Sequence, residues 1–169
     1  MFWAWFVICF MCFAIRTFYN YWDYRGHKLA KKKEVITIIY VLMAVLWFSW
    51  FQMNFIDPVK MSLPLWLRVL GLLFFIIGVA FFFLAHAVMG RLKDEGLFVK
   101  RGIYSRIRNP MYLGFIVWVV GFPVFMQSIL TLASAVLWIA HFMVWKVLEE
   151  KDLERRISGY REYRSRTWF

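Results

Sequence analysis

Five long apolar stretches, each bounded by charged or turn-forming residues, leave this chain few ways to fold. They run over residues 1–21, 35–55, 63–90, 111–126 and 128–147. A helix that crosses a bilayer takes about 20 mostly apolar residues, and these stretches qualify or nearly do. With 63% of its 169 residues hydrophobic and 22% aromatic, the chain is too apolar to hide its surface in one water-soluble core. In lipid every backbone N–H and C=O needs an internal partner, so the stretches are expected to be helices. The sequence therefore predicts one all-α integral membrane domain over residues 1–169. It has about five transmembrane helices and a tail over residues 148–169.

The net charge of +11 is not spread as a nucleic-acid groove would require, and no nucleic-acid partner is expected. It reports topology instead. Arg25, Lys28, Lys31, Lys32 and Lys33 lie between the first and second stretches, and Arg91, Lys93, Lys100, Arg101, Arg106 and Arg108 precede the fourth. The loop around Asp57 carries only Lys60, with Arg68 just inside the third stretch. By the positive-inside rule the N-terminus is outside and the tail is cytoplasmic, the membrane being the plasma membrane if the source is prokaryotic. The first cation, Arg16, follows the first apolar run, which argues for a retained anchor over a cleaved signal peptide. Cys9 and Cys12 share one face of an apolar helix with no His or carboxylate beside them, and are expected to be buried, inert thiols.

Two polar sites flank the hairpin formed by the fourth and fifth stretches. The first is the run from Gly102 to Gly114, containing Tyr104, Arg108, Asn109, Pro110 and Tyr112; the second is Glu149–Glu150. Asn is a good helix N-cap and Pro is tolerated at the first helical position, so Asn109–Pro110 alone reads as a helix start. Its neighbours add a cation, two phenol rings and, at Gly114, a gap where a ligand could approach the helix backbone. The end of the fifth helix favours cations, so the two glutamates need a reason to be there. One is ion pairing with Lys146 or Arg155; the other is a binding site on the same membrane face as Asn109. His86 and His141 lie on different helices and offer no metal-ligand spacing. His141 precedes Glu149 by about two turns and falls on nearly the same face. From Lys146 to Phe169 the chain reads as an extension of the fifth helix, either an amphipathic surface tail or a lid over the mouth of helices three to five.

The segments Leu97-Phe98-Val99-Lys100-Arg101-Gly102-Ile103-Tyr104, Arg108-Asn109-Pro110-Met111-Tyr112-Leu113-Gly114 and Glu149–Glu150, with His141, Leu153, Tyr160 and Tyr163, resemble the isoprenylcysteine carboxyl methyltransferase and phospholipid methyltransferase superfamily. The resemblance covers about the C-terminal half. It implies a pocket for S-adenosylmethionine at the cytoplasmic ends of helices three to five, lined by Leu97, Phe98, Val99, Gly102, Tyr104, Asn109, Pro110, Tyr112, Gly114, Glu149 and Glu150. It further implies that Arg108 and Glu149 lie near the transferred methyl group, with His141 and Lys146 in support. The acceptor would be a lipid or a prenylated small molecule, methylated at a carboxylate or an amine. Asn109 stands where the carboxyl methyltransferases have His, a form closer to the phospholipid enzymes. Membrane sterol reductases, which use a nicotinamide cofactor, share a related motif, and a non-catalytic membrane protein is a third possibility.

Overall fold

The apolar stretches are helices in the computed structural model, which describes residues 1–27, 33–92 and 102–169. In chain order they are α1 (Phe2–Trp22), α2 (Lys33–Ile56), α3 (Leu65–Leu92), α4 (Pro110–Met126) and α5 (Ile129–Arg156), followed by the short α6 (Tyr160–Arg166). Four of them, α1, α2, α3 and α5, are long and apolar enough to cross a membrane. With 17 residues, α4 is shorter. At 1.5 Å per residue it measures about 25 Å, a little less than a hydrocarbon core of about 30 Å.

Helices α1 and α5 run side by side in the same direction, with Phe6 against Trp138 and Thr17 against Trp145. Stacked rings fill the core: Phe13 on Trp138 at 4.7 Å, Trp47 on Trp118 at 4.6 Å and Phe115 on Phe142 at 5.1 Å between centroids. Cys9 and Cys12 are buried free thiols within this core, as expected. The outer surface remains apolar, with Phe18, Ile38, Trp66, Ile76 and Phe83 all exposed, the pattern of helices solvated by lipid.

Helix α3 seats on α4 by close backbone contact, with Phe75 and Phe82 adding ring contacts to α2 and α4. Gly71 and Gly78 on α3 are seven residues apart, as are Gly114 and Gly121 on α4. The helices are antiparallel, so Gly78 meets Gly114 and Gly71 meets Gly121. A Cβ on Gly78 would sit 2.6 Å from the Gly114 carbonyl oxygen, and one on Gly121 would sit 2.7 Å from that of Gly71. Small residues are the means by which helices approach closely in lipid, where apolar surface alone gives no drive to associate.

At one end of the bundle, two charged side chains lock the loop after α2 onto the α4–α5 turn. Buried Asp57 accepts from the Thr131 backbone N–H at 2.8 Å and from its hydroxyl at 2.9 Å, placing a carboxylate at the N-terminus of α5. The Lys60 ammonium donates to the carbonyls of Asn54 and Met126, at the C-terminal ends of α2 and α4. Each charge thus opposes the helix dipole it faces.

The opposite end departs from the sequence reading. Helix α5 does continue past Val147, as read, but it ends at Arg156, and the rest of the tail does not extend it to Phe169. Ile157 is extended, Gly159 adopts φ +84°, and the chain turns back. A residue with a Cβ is strained at that φ, so Gly159 permits the turn that a single amphipathic helix would lack. Beyond α6 the chain lies along the approach to α4. The Trp168 N–H donates to the Arg106 carbonyl at 2.8 Å, and the Arg108 N–H to that of Trp168 at 2.9 Å.

Candidate active site

Gly102, at φ +61°, opens a 3₁₀ turn through Ser105 that carries Tyr104 inward. Asn109 then takes the N-cap position and buried Pro110 the first position of α4. The Asn109 side chain does not cap the helix, contrary to the sequence reading. Its amide nitrogen donates to Glu150 Oε1 and to the Phe169 carbonyl, which commits the side chain to α5 and the tail.

Glu149 and Glu150 are neighbours about 100° apart on α5, and their surroundings differ. Glu150 is 4% exposed and sits in a clamp. It accepts from Arg108 Nε at 2.8 Å and lies 3.6 Å from Lys146 Nζ, with Arg164 at 3.9 Å from its other oxygen. Arg108 Nη1 donates to the carbonyls of Arg164 and Thr167 at 2.9 and 2.8 Å. The Lys146 ammonium stands 4.5 Å above the Phe169 ring. The Tyr163 hydroxyl donates to the Tyr104 carbonyl at 2.6 Å, closing the tail over the 3₁₀ turn. Burial pushes the Tyr163 phenol up to about 12, with the Arg108 charge pulling the other way. Burial also raises Tyr160 and Tyr104, the latter helped by the nearby Glu149 charge.

Glu149 points away from this clamp. Its Oε2 accepts from the Tyr112 hydroxyl at 2.8 Å, one turn into α4. Beyond that bond the Glu149 side chain keeps exposed surface. Tyr104, Tyr112 and Arg16 of α1 all lie near enough to feel its charge.

The structure thus brings together Tyr104, Arg108, Asn109, Pro110, Tyr112, Lys146, Glu149 and Glu150, with Gly102 shaping the turn. Gly114 is placed differently. The gap it leaves is filled by the Gly78 carbonyl, Phe81 and Phe82 of α3. His141 reaches α1, where its Nδ1 is 2.7 Å from the Thr17 hydroxyl. That hydroxyl also accepts from Trp145 Nε1 at 2.7 Å. Leu97, Phe98 and Val99 lie outside the described residues. Sequence reasoning passed over Arg16 and Thr17, although a lone cation late in an apolar helix is itself a signal. It also passed over the carbonyls of Arg164, Thr167 and Phe169, which no side-chain pattern reveals.

Two comparisons bear on this arrangement. A family model described as phospholipid methyltransferase matches residues 66–159. The protein-S-isoprenylcysteine O-methyltransferase of Saccharomyces cerevisiae is 32% identical over 89 residues, covering 48% of this chain and 35% of the yeast protein. The match therefore spans about a third of that relative's length. No solved structure matches the chain. The residues matched by the family model take in α3, α4, α5, Arg108 and both glutamates, and leave out α1. On that match, over more than half of its length, the chain belongs to the phospholipid methyltransferase family.

Proposed function

We propose that this protein transfers a methyl group from S-adenosylmethionine to a lipophilic acceptor, at a site facing the cytoplasm. The observation that carries the reading is Glu149, a carboxylate with exposed surface held by one phenol beside the buried start of α4. In the topology that goes with it, α1 to α5 all cross the membrane and the N-terminus is outside. The crowding of basic residues at the Glu149 end supports that orientation.

The residues fit the cofactor in kind. When bound, S-adenosylmethionine supplies an electrophilic methyl on a sulfonium. The phenols of Tyr104 and Tyr112 offer ring faces suited to a cation, and Glu149 offers a carboxylate to an ammonium or a ribose hydroxyl. The Tyr112 bond orients Glu149 by one oxygen and leaves the other for a ligand. Glu150 and Arg108 act through position, because the clamp fixes the start of α4 against α5 and so sets the reach from Tyr112 to Glu149. Lipid around the helices excludes water, and methyl transfer mainly needs two groups held in contact in a dry site.

The family description and the yeast relative's name supply two acceptor types, a phospholipid and an isoprenylcysteine. For an amine acceptor Glu149 is the base, and rates should climb through alkaline pH. For a carboxylate acceptor the nucleophile is already ionised, and rates should stay level there. The first test is calorimetric titration of detergent-purified protein with S-adenosylhomocysteine, repeated on Glu149→Ala and Tyr112→Ala. Micromolar binding by the unaltered protein, lost in the first variant and weakened in the second, is expected. A folded protein that binds none would end this reading.

A further inference from the structure

Arg16 is a cation in a spanning helix with no carboxylate in ion-pair contact among the described residues. It sits on α1 six residues before Trp22, about 9 Å from that helix end. Its guanidinium lies 5.8 Å from the Trp145 ring centroid and 5.2 Å from that of Tyr19. Its Nε is buried with no hydrogen-bond partner. Among the described residues the guanidinium makes no hydrogen bond and no ion pair. Trp145 precedes Glu149 by one turn of α5, and the guanidinium above it is near enough to feel the charges of Glu149 and Asp23. Its aromatic floor is fixed, because Trp145 donates to Thr17, the residue after Arg16. A charged group held in place within a membrane and left unpaired is a functional candidate.

Arg108, the other cation at this end of α4, is already engaged. It donates to Glu150 and to two tail carbonyls, so an incoming anion would have to compete with the clamp. Among the described residues Arg16 has no such competitor. Its helix also lies outside the residues matched by the family model. Relatives that share a cofactor but differ in acceptor should differ most in the part of the site that meets the acceptor. We propose that Arg16 binds the oxyanion of the methyl acceptor, either the carboxylate of a prenylated cysteine or the phosphate of a phospholipid, and holds the acceptor beside Glu149. This inference rests on the methyltransferase reading above.

The test uses the full chain in detergent, with Arg16→Gln and Arg16→Lys. S-adenosylhomocysteine affinity should stay within about twofold of the unaltered protein in both. The KM for the preferred acceptor should rise by about tenfold or more in Arg16→Gln, the loss of a hydrogen-bonded charge, with a smaller change in kcat and partial recovery in Arg16→Lys. N-acetyl-S-farnesylcysteine and phosphatidylethanolamine in mixed micelles serve as the two acceptor arms and separate a carboxylate from a phosphate. Binding alone gives a second readout. If the carboxylate arm is the active one, the protein should prefer N-acetyl-S-farnesylcysteine to its uncharged methyl ester, and Arg16→Gln should erase that preference. If the phosphate arm is active, phosphatidylethanolamine and uncharged diacylglycerol make the same comparison. A fall in S-adenosylhomocysteine affinity alongside acceptor affinity would reassign Arg16 to the cofactor. Unchanged acceptor constants would leave it a structural residue. Absence of S-adenosylhomocysteine binding in the unaltered protein would instead remove the broader reading.

Discussion

Adjacent glutamates with opposite surroundings should respond in opposite ways to truncation. Replacing Glu150 with Ala removes the acceptor for Arg108 Nε and the Asn109 amide, and leaves Lys146 without its carboxylate. Arg108 and Lys146 are each 10% exposed at the side chain, so both charges would stay buried and lose their partner. Breaking a buried pair from one side costs about 3–5 kcal/mol. For a domain of this size each kcal/mol moves the melting temperature by about 2–4 °C, giving a fall of about 6–20 °C. Glu149 borders open space and holds one bond, from Tyr112, so Glu149→Ala should cost about 1 kcal/mol and shift melting by about 4 °C or less. Thermal unfolding of both variants in one detergent, read by tryptophan fluorescence, makes the comparison. A Glu149→Ala protein that melts as low as Glu150→Ala would refute the division into an exposed carboxylate and a structural one.

Two further outcomes follow from the packing. Gly78→Val and Gly121→Val each push side-chain atoms against backbone closer than 3 Å, and each should cost about 1–3 kcal/mol and expose α3 to proteolysis. Unchanged melting in both would mean that α3 does not seat on α4 through its glycines. The folded protein holds the Tyr163 proton more tightly than the unfolded chain does. Its contribution is therefore complete below pH 10 and lost as pH rises towards about 12, when the phenolate can no longer donate to the Tyr104 carbonyl. Absorbance of tyrosinate at alkaline pH, differenced against Tyr163→Phe, should show that delayed titration, and a midpoint at the ordinary phenol value would mean that the tail is not packed down.

The helices were legible because lipid demands long apolar segments, and each observed helix start lies within a few residues of the expected one. The end of α5 was not. Apolar character stops at Val147, but the backbone has no reason to stop there, since Glu149, Lys151 and Glu154 are good helix formers. Only the pair Ser158–Gly159 marks the turn, and a periodic reading of Leu153, Ile157 and Tyr160 runs straight across it. The site was legible as two motifs and not as two roles. Asn109 followed by Pro110 looks like a capped helix start, and nothing local says that its amide is drawn instead to Glu150 and Phe169. Arg16 lies 92 residues before Arg108 and 133 before Glu149, so spacing could not connect it to either motif.

The length of α5 also resolves why acids sit near its end. With the helix stopping at Val147, both glutamates would oppose the negative end of its dipole. With the helix running to Arg156 they lie about two turns inside, where the dipole has little effect, and Arg155 and Arg156 occupy the last turn in the favoured sense. What remains to be balanced is each glutamate's own charge. Glu150 is met by Arg108 and Lys146, with Arg164 close by, which ties the tail and the start of α4 into one body. Glu149 has a neutral phenol and, nearby on α1, the Arg16 guanidinium, which forms no ion pair among the described residues. A fold that neutralises one of two adjacent carboxylates so fully and leaves the other near such a cation has separated structural charge from charge available to a ligand. The site is then complementary to a molecule that brings a cationic or protonated group to Glu149 and an oxyanion to Arg16.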